Sequence, residues 1–172
     1  MNETLQTLKT RRSIRKYKNQ QVPEELLNQI LEAGTYAPSG MGKQSSVMVV
    51  VQDSEMVSRL SEMNAKVMGT DSDPFYGAPT VIVVFSDTKR PTHVEDGSLI
   101  MGNLMNAAHS VGIDSCWIHR AREVFDSEEG RKIKEQWGID SDYVGIAHCV
   151  LGYRDCEYPK AAPRKETYII RP

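Results

Sequence analysis

Thr80-Val81-Ile82-Val83-Val84-Phe85 is a run of β-branched and aromatic residues, and reading it as a strand decides the fold. The stretch before it in the chain, Ser46-Val47-Met48-Val49-Val50-Val51, has the β-branched density of a strand covered by other layers. Helical periodicity takes over from about Glu95 to Val111. There Ile100, Leu104, Ala108 and Val111 recur on one side, and Leu99, Met101, Met105 and Ala107 widen the apolar face. Such a helix is expected to be mostly buried. Strands alternating with helices of this kind predict a layered α/β domain with a mixed sheet.

Working outward, Pro23, Glu24 and Glu25 open a helix that carries Leu26, Leu27, Ile30 and Leu31 and ends near Gly34. Ser54 is placed to cap another, with Met56, Val57, Leu60 and Met63. Residues 69–77, with Asp71, Asp73 and Pro74, read as an exposed and mobile excursion. Downstream of Gly112 a short strand holds Cys116, Trp117 and Ile118. Ser127-Glu128-Glu129-Gly130 then starts a helix that ends around Trp137-Gly138, and residues 143–151 form a strand stopped by Gly152. The tail from about 159 to 172 is too polar for a core of its own, although residues 167–170 can extend and add to a sheet. Gly97, Ser98, Gly102, Ala107, Ala108 and Ser110 let the long helix approach a neighbouring backbone closely, which suits a dimer interface.

A chain of 172 residues, 40% hydrophobic, fills one core, so a single domain over 1–172 is expected. No run of 18 apolar residues occurs, and the first residues lack the charged and apolar regions of a secretory signal. The expectation is a soluble cytoplasmic protein with no membrane partner. The three cysteines are odd in number and form no CxxC pair, which fits a reducing compartment. Cys116 and Cys149 read as core residues and Cys156 as a loop residue. There is no Gly-x-Gly-x-x-Gly, no Gly-Lys-Ser/Thr and no Gly-x-Ser-x-Gly, so Rossmann, P-loop and serine-hydrolase chemistry find no support. His93, His109, His119 and His148 lack metal-ligand spacing, so no metal is expected. Asp87 and Glu95 sit among Lys89, Arg90 and His93, as a solvated surface would. The acidic middle of the chain, without zinc, helix-turn-helix or aromatic RNP patterns, argues against nucleic acid.

Charge asymmetry marks the first candidate site. Residues 1–20 hold Lys9, Arg11, Arg12, Arg15, Lys16 and Lys18 against Glu3 alone, in a chain of formal net charge -2. Guanidinium forks grip phosphate oxygens in pairs, so Arg11, Arg12 and Arg15 with Ser13 can enclose a dianion, joined by Arg164 and Lys165 if the two ends converge. A solvated basic edge is the alternative. Pro38-Ser39-Gly40-Met41-Gly42 lets the backbone pass close to a planar ligand, with Lys43 and Gln44 beside it. An ordinary loop is the alternative there.

Together these fragments resemble the flavin-dependent nitroreductase family over essentially the full length. The resemblance rests on Arg11-Arg12-Ser13-x-Arg15-x-Tyr17, Ala37-Pro38-Ser39-Gly40 with Gln44, Gly77-Ala78-Pro79, the long helix before Gly112, Leu151-Gly152-Tyr153 and Pro163-Arg164-Lys165. It implies an α+β layered fold with a central mixed, largely antiparallel sheet flanked by helices. It also implies an intertwined homodimer with composite FMN sites, and electron transfer from NADH or NADPH to a nitroaromatic, quinone or similar small oxidant. Under the resemblance Arg11, Arg12, Ser13 and Arg15 fall on the first FMN-binding segment, and Arg164 and Lys165 on the C-terminal phosphate-binding one. Pro38, Ser39 and Gly40 match the ring-contacting loop from the other subunit, with Gln44 a polar position nearby. Ile118, His119 and Arg120 lie where the backbone passes the flavin's reactive edge, and Gly152 belongs to the matched motif. No side chain is expected to do covalent or acid–base catalysis, because the flavin carries the chemistry. The chain departs from the family at Gly42, where asparagine is common, and at Ser45-Ser46, where proline and an aromatic residue often stand. A less rigid loop and an open pocket are therefore expected. A non-catalytic flavin-binding or redox-sensing module is the alternative function.

Overall fold

The computed structural model describes residues 2–172. Strands β1 (Ser46–Val51), β2 (Thr80–Asp87), β3 (Asp114–Ile118) and β4 (Tyr143–Gly152) form one sheet in the order β1-β2-β4-β3, and each neighbouring pair is antiparallel. The helices are α1 (Glu3–Thr10), α2 (Glu24–Thr35), α3 (Ser54–Met68), α4 (His93–Ser110), α5 (Ala121–Asp126) and α6 (Glu128–Gln136). Parallel pairing, the mixed element of the sheet, is confined to an isolated bridge from Ser13 to Ser115.

The central strand β2 sets the layers. Its side chains alternate between two cores, as a period of two requires. Val81, Val83 and Phe85 pack with Val57 and Leu60 of α3, Phe125 of α5 and Ile133 of α6. Ile82 and Val84 face the other way, onto Leu27 and Ile30 of α2 and Met101, Leu104 and Ala108 of α4. Between Val84 and Phe85 the register with β4 slips, leaving Ile146 as the extra residue of a bulge, so Ile146 and Ala147 both reach the second core.

Several expectations shift in detail, each for a physical reason. The buried stripe of α4 is Gly97, Met101, Leu104 and Ala108, whereas Ile100 is only half-buried and Leu99 is exposed. Gly97 brings the helix onto the sheet: a Cβ there would stand 2.6 Å from Ile146 Cγ1, and this contact turns the inward face onto the Gly97 line. Asp53, one residue before Ser54, caps α3 by accepting the Met56 amide. The 69–77 excursion is tied down. Asp73 accepts the amides of Phe75 at 2.8 Å and Gly77 at 2.6 Å, together with the Ser61 hydroxyl, while Phe75 fills the first core. Residues 166–168 form a 3-10 turn, and residues 167–170 pair with no strand of the protomer. The periodicity missed α1 because none of its residues is buried, and α5 because it is only six residues long. No described helix is long and apolar enough to cross a membrane.

His148 of β4 is fully buried between the rings of Phe75 and Phe125, and neither ring nitrogen has a hydrogen-bond partner in normal geometry. Burial, aided by the Arg120 charge, pushes its pKa down to about 3. In the unfolded chain it titrates near its ordinary value of about 6.5. Between those values the unfolded state binds a proton that the native state refuses. The residue's contribution is therefore complete above about pH 6.5 and is lost as pH falls toward 3. Urea titrations from pH 6 to pH 4 should show His148→Gln losing less stability than the wild type, by up to ~1.4 kcal/mol per pH unit. Parallel pH slopes for the two proteins would refute this assignment.

Candidate functional site

Beyond α1 the chain is stitched along one end of the sheet. The Ile14 amide donates to Ser115 O at 3.1 Å, the Lys18 amide to Tyr153 O at 2.8 Å, and the Asp155 amide to Lys16 O at 2.9 Å. Buried Ile14 and Tyr17 anchor this segment, and the Tyr17 hydroxyl donates to Ile14 O. Arg11, Arg12 and Ser13 are thereby held half-buried beside the start of β3, with Arg15 exposed. Arg12 Nη1 donates to Lys9 O and Arg11 O. Arg12 Nε and Arg11 Nη1, however, are buried without a partner, as is Ser115 Oγ. Unmet buried guanidinium donors are costly, and an anion is the group that satisfies them best. Cys116 lies next to the Ser13 hydroxyl, and burial pushes its thiol up, which makes it inert as a nucleophile.

The second set surrounds the start of α4. Asp96, 3% exposed, accepts the Gly40 amide at 2.8 Å and the hydroxyls of Ser45 and Thr92 at 3.2 Å each. Ser39 Oγ accepts the Gln44 amide at 3.0 Å. Gly40 is dictated by space: a Cβ there would lie 2.2 Å from Thr92 Oγ1. Met41 and Gln44 take left-handed φ of 55° and 49°, a cost that the surrounding bonds sustain. Pro38, Ser39 and Gln44 line a recess of about 160 Å³ with Asp96 and Ile100. Ser45 and Ser46, expected to loosen this loop, tie it instead, since Ser46 Oγ also meets Ser86 Oγ at 2.6 Å.

The third set is the exit of β3. Ile118 is buried and His119 exposed, and Arg120 turns the chain at φ 72°. Buried Asn64 fixes that turn, donating to His119 O at 2.8 Å and accepting Arg120 Nε at 3.0 Å. His119 and Arg120 border a recess of about 330 Å³ with Val94, Ser98 and Trp117. Gly152 lies elsewhere, opposite Asp114, where its missing Cβ admits the rings of Tyr17 and Pro79. Arg164 folds back onto Ala162 O, and Lys165 sits over the Tyr168 ring. The polar contacts recorded for these two residues thus stay within the exposed tail.

Helix α4 separates the first two sets. Thr10, next to Arg11, meets His109 near its end, while Gly40 meets Asp96 near its start. Thirteen residues of helix at 1.5 Å each put these anchors about 20 Å apart. The third set is nearer the first: Ile118 is three residues along β3 from Ser115, about 10 Å. Sequence reasoning found all three segments but missed the residues that hold them. Asp96 and Asn64 were not singled out, and His109 was weighed only as a metal ligand and set aside as structural. Their only signal is a polar type on an inward helical face.

The nitroreductase family profile matches residues 8–71 and 64–153. A Methanothermobacter thermautotrophicus protein provisionally named NADH dehydrogenase/NAD(P)H nitroreductase is 36% identical over 160 residues, covering 88% of this chain and 77% of that one. A nitroreductase solved with bound FMN from Bacteroides fragilis superposes with TM-score 0.91 at 29% identity, over 100% of both chains. Another with bound FMN, from Desulfitobacterium hafniense, gives 0.88 at 28% identity over 99% of this chain and 98% of that one. The chain belongs to the nitroreductase family.

Asp96→Ala strips the acceptor from one amide and two hydroxyls. It should cost roughly 1–3 kcal/mol in urea denaturation and speed hydrogen exchange at the Gly40 amide, with Asp96→Asn intermediate. Wild-type exchange at Gly40 in Asp96→Ala would show that the loop is held by something else.

Proposed function

We propose that this chain is an FMN-dependent oxidoreductase that draws electrons from NADH or NADPH and passes two at a time to a small oxidant, nitroaromatic or quinone-like, in alternating half-reactions. The observation that carries the reading is the pair of buried, unpartnered donors on Arg11 and Arg12, a cationic cradle that fits a terminal phosphate. The FMN-bound relatives of the same fold lend it support. Arg11, Arg12, Ser13 and Arg15, joined by Arg164 and Lys165 of the tail, would hold that phosphate. Ile118 at the end of β3, about 10 Å from Ser115, with His119 and Arg120 just beyond it, would border the ring. When bound, FMN supplies the hydride and electron chemistry, so the chain needs neither a nucleophile nor a general base. Its own residues bind, orient and exclude water, and the free, unpaired cysteines suit a reducing cytoplasm.

The anchors of the 39–44 loop and of Arg11 lie about 20 Å apart along α4, so the chain's own loop does not reach the phosphate cradle; that a second copy supplies the loop over the ring is what the family resemblance implies. Leu99, Tyr36 and Met41 are exposed, and residues 161–172 are exposed throughout, leaving apolar surface and a tail for a homodimer to use.

The purified protein should be yellow, and NADH or NADPH should bleach it anaerobically until an oxidant restores the colour. Failure to bind FMN on reconstitution defeats the proposal. Binding without reduction by either nicotinamide would favour a flavin-binding or redox-sensing module instead. Arg11→Ala or Lys165→Ala should weaken FMN by ~1–3 kcal/mol, tenfold to more than a hundredfold, while sparing riboflavin. For the dimer, a subunit carrying Arg11→Ala and Lys165→Ala is paired with one carrying Ser39→Leu and Gly40→Leu. About half the FMN capacity should return, because one composite site receives both lesions and the other neither. Recovery near zero in a folded heterodimer rejects the shared site.

A further inference from the structure

His109, in the last turn of α4, belongs to none of the three sets, yet it touches the first. Its Nε2 lies 2.8 Å from Thr10 Oγ1, whose own proton goes to Gln6 O at 2.8 Å. The hydroxyl can therefore only accept, so Nε2 carries the hydrogen. On the other side Nδ1 lies 3.4 Å from the Tyr158 hydroxyl, which donates to Thr10 O at 2.9 Å. In the neutral ring, Nδ1 thus turns a lone pair toward an oxygen whose proton is committed elsewhere. A proton on Nδ1 would convert that contact into a hydrogen bond with an acceptor already in place.

The surroundings decide whether the proton stays. The titratable and charged groups that face His109 are Arg11 and Arg12 beyond α1, Asp114 of β3, and Arg154 and Tyr158 beyond β4. Asp114 is bound to Arg154 at 3.1 Å, and Arg154 stacks over the Tyr158 ring at 5.1 Å, so the local carboxylate is already matched. Burial first, then Arg11, Arg12 and Arg154, hold the imidazolium below its ordinary range, against the pull of Asp114. Two of the three arginines that oppose the proton, Arg11 and Arg12, are the ones with buried unpartnered donors.

We propose that His109 is a positioning residue for the arginine cradle: through Thr10 it fixes where Arg11 and Arg12 begin, and it takes a proton from solvent onto Nδ1 when a phosphate dianion settles on them. This rests on the phosphate reading above. The dianion cancels the guanidinium field, the imidazolium becomes tolerable, and its new bond to Tyr158 tightens the link from residues 10–12 to the segment after β4. Cradle occupancy and the His109 proton are then reciprocally coupled.

The test is NMR titration of protein labelled at histidine Cε1, with His109→Gln identifying its signal among the four histidines, in the free protein and in the presence of saturating FMN or riboflavin. The free protein should give a His109 midpoint below 6.5. FMN should raise it by about one unit and riboflavin should leave it unmoved. Tyr158→Phe removes the waiting acceptor and should shrink the rise while FMN still binds. A midpoint identical with and without FMN overturns the coupling while leaving the phosphate reading intact. An equal rise with riboflavin also overturns it, because the phosphate would not be the cause. Failure of Arg11→Ala to discriminate FMN from riboflavin removes the phosphate reading itself, and this inference with it.

Discussion

Helix α4 is a rod that cannot be shortened without breaking the core. Met101, Leu104 and Ala108 lock one side of it to β2 and β4, so its two ends are held at a fixed separation. Because the connection through Gly112 reverses the chain into β3, the end of α4 lies by the start of β3, and the start of α4 by its exit. The cationic segment is bound to the first junction, and the 39–44 loop and the His119 turn to the second. The separation of the cationic segment from the 39–44 loop follows from that rod.

How much of this could be read from sequence depended on how locally each feature is encoded. The apolar run at 81–85 announced a covered strand, because burial on two faces leaves no room for polar residues, whereas the repeat in α4 announced a helix but overstated its burial, which is confined to Asp96, Gly97, Met101, Leu104 and Ala108. The cationic segment and the Pro38-Ser39-Gly40 loop were legible as charge and as backbone freedom. Pair distances were not. Nothing in the spacing of Arg11 and Ser39 says that a helix stands between them, and nothing around residues 164 and 165 says that they fold back on their own tail. Nor did α1 declare itself, since a helix that buries nothing leaves no periodic trace.

The polar residues inside the structure share a logic that hydrophobic patterning cannot express. Asp96 and Asn64 each satisfy two groups from a segment remote in sequence, so each converts an otherwise loose connection into one defined by donors and acceptors. His148 is the opposite case: a polar ring among phenylalanines whose nitrogens have no partner in normal geometry, tolerated because it stays neutral. The same residue type thus contributes geometry at 109 and mainly volume at 148, and only the environment distinguishes them.

An eight-residue helix with no buried side chain is shorter than helices that hold themselves in water, so α1 borrows its order from the Asn2 cap and from the Thr10 contact at its far end. Leu5 and Leu8, each about half exposed, add little within the protomer. Weakly held helices of this kind open readily to proteases. A cut within α1 would detach the stretch that leads into Arg11, leaving the rest of the fold standing but its cationic arm untethered. How continuously that first helix stays docked is therefore a different quantity from the stability of the core beneath it.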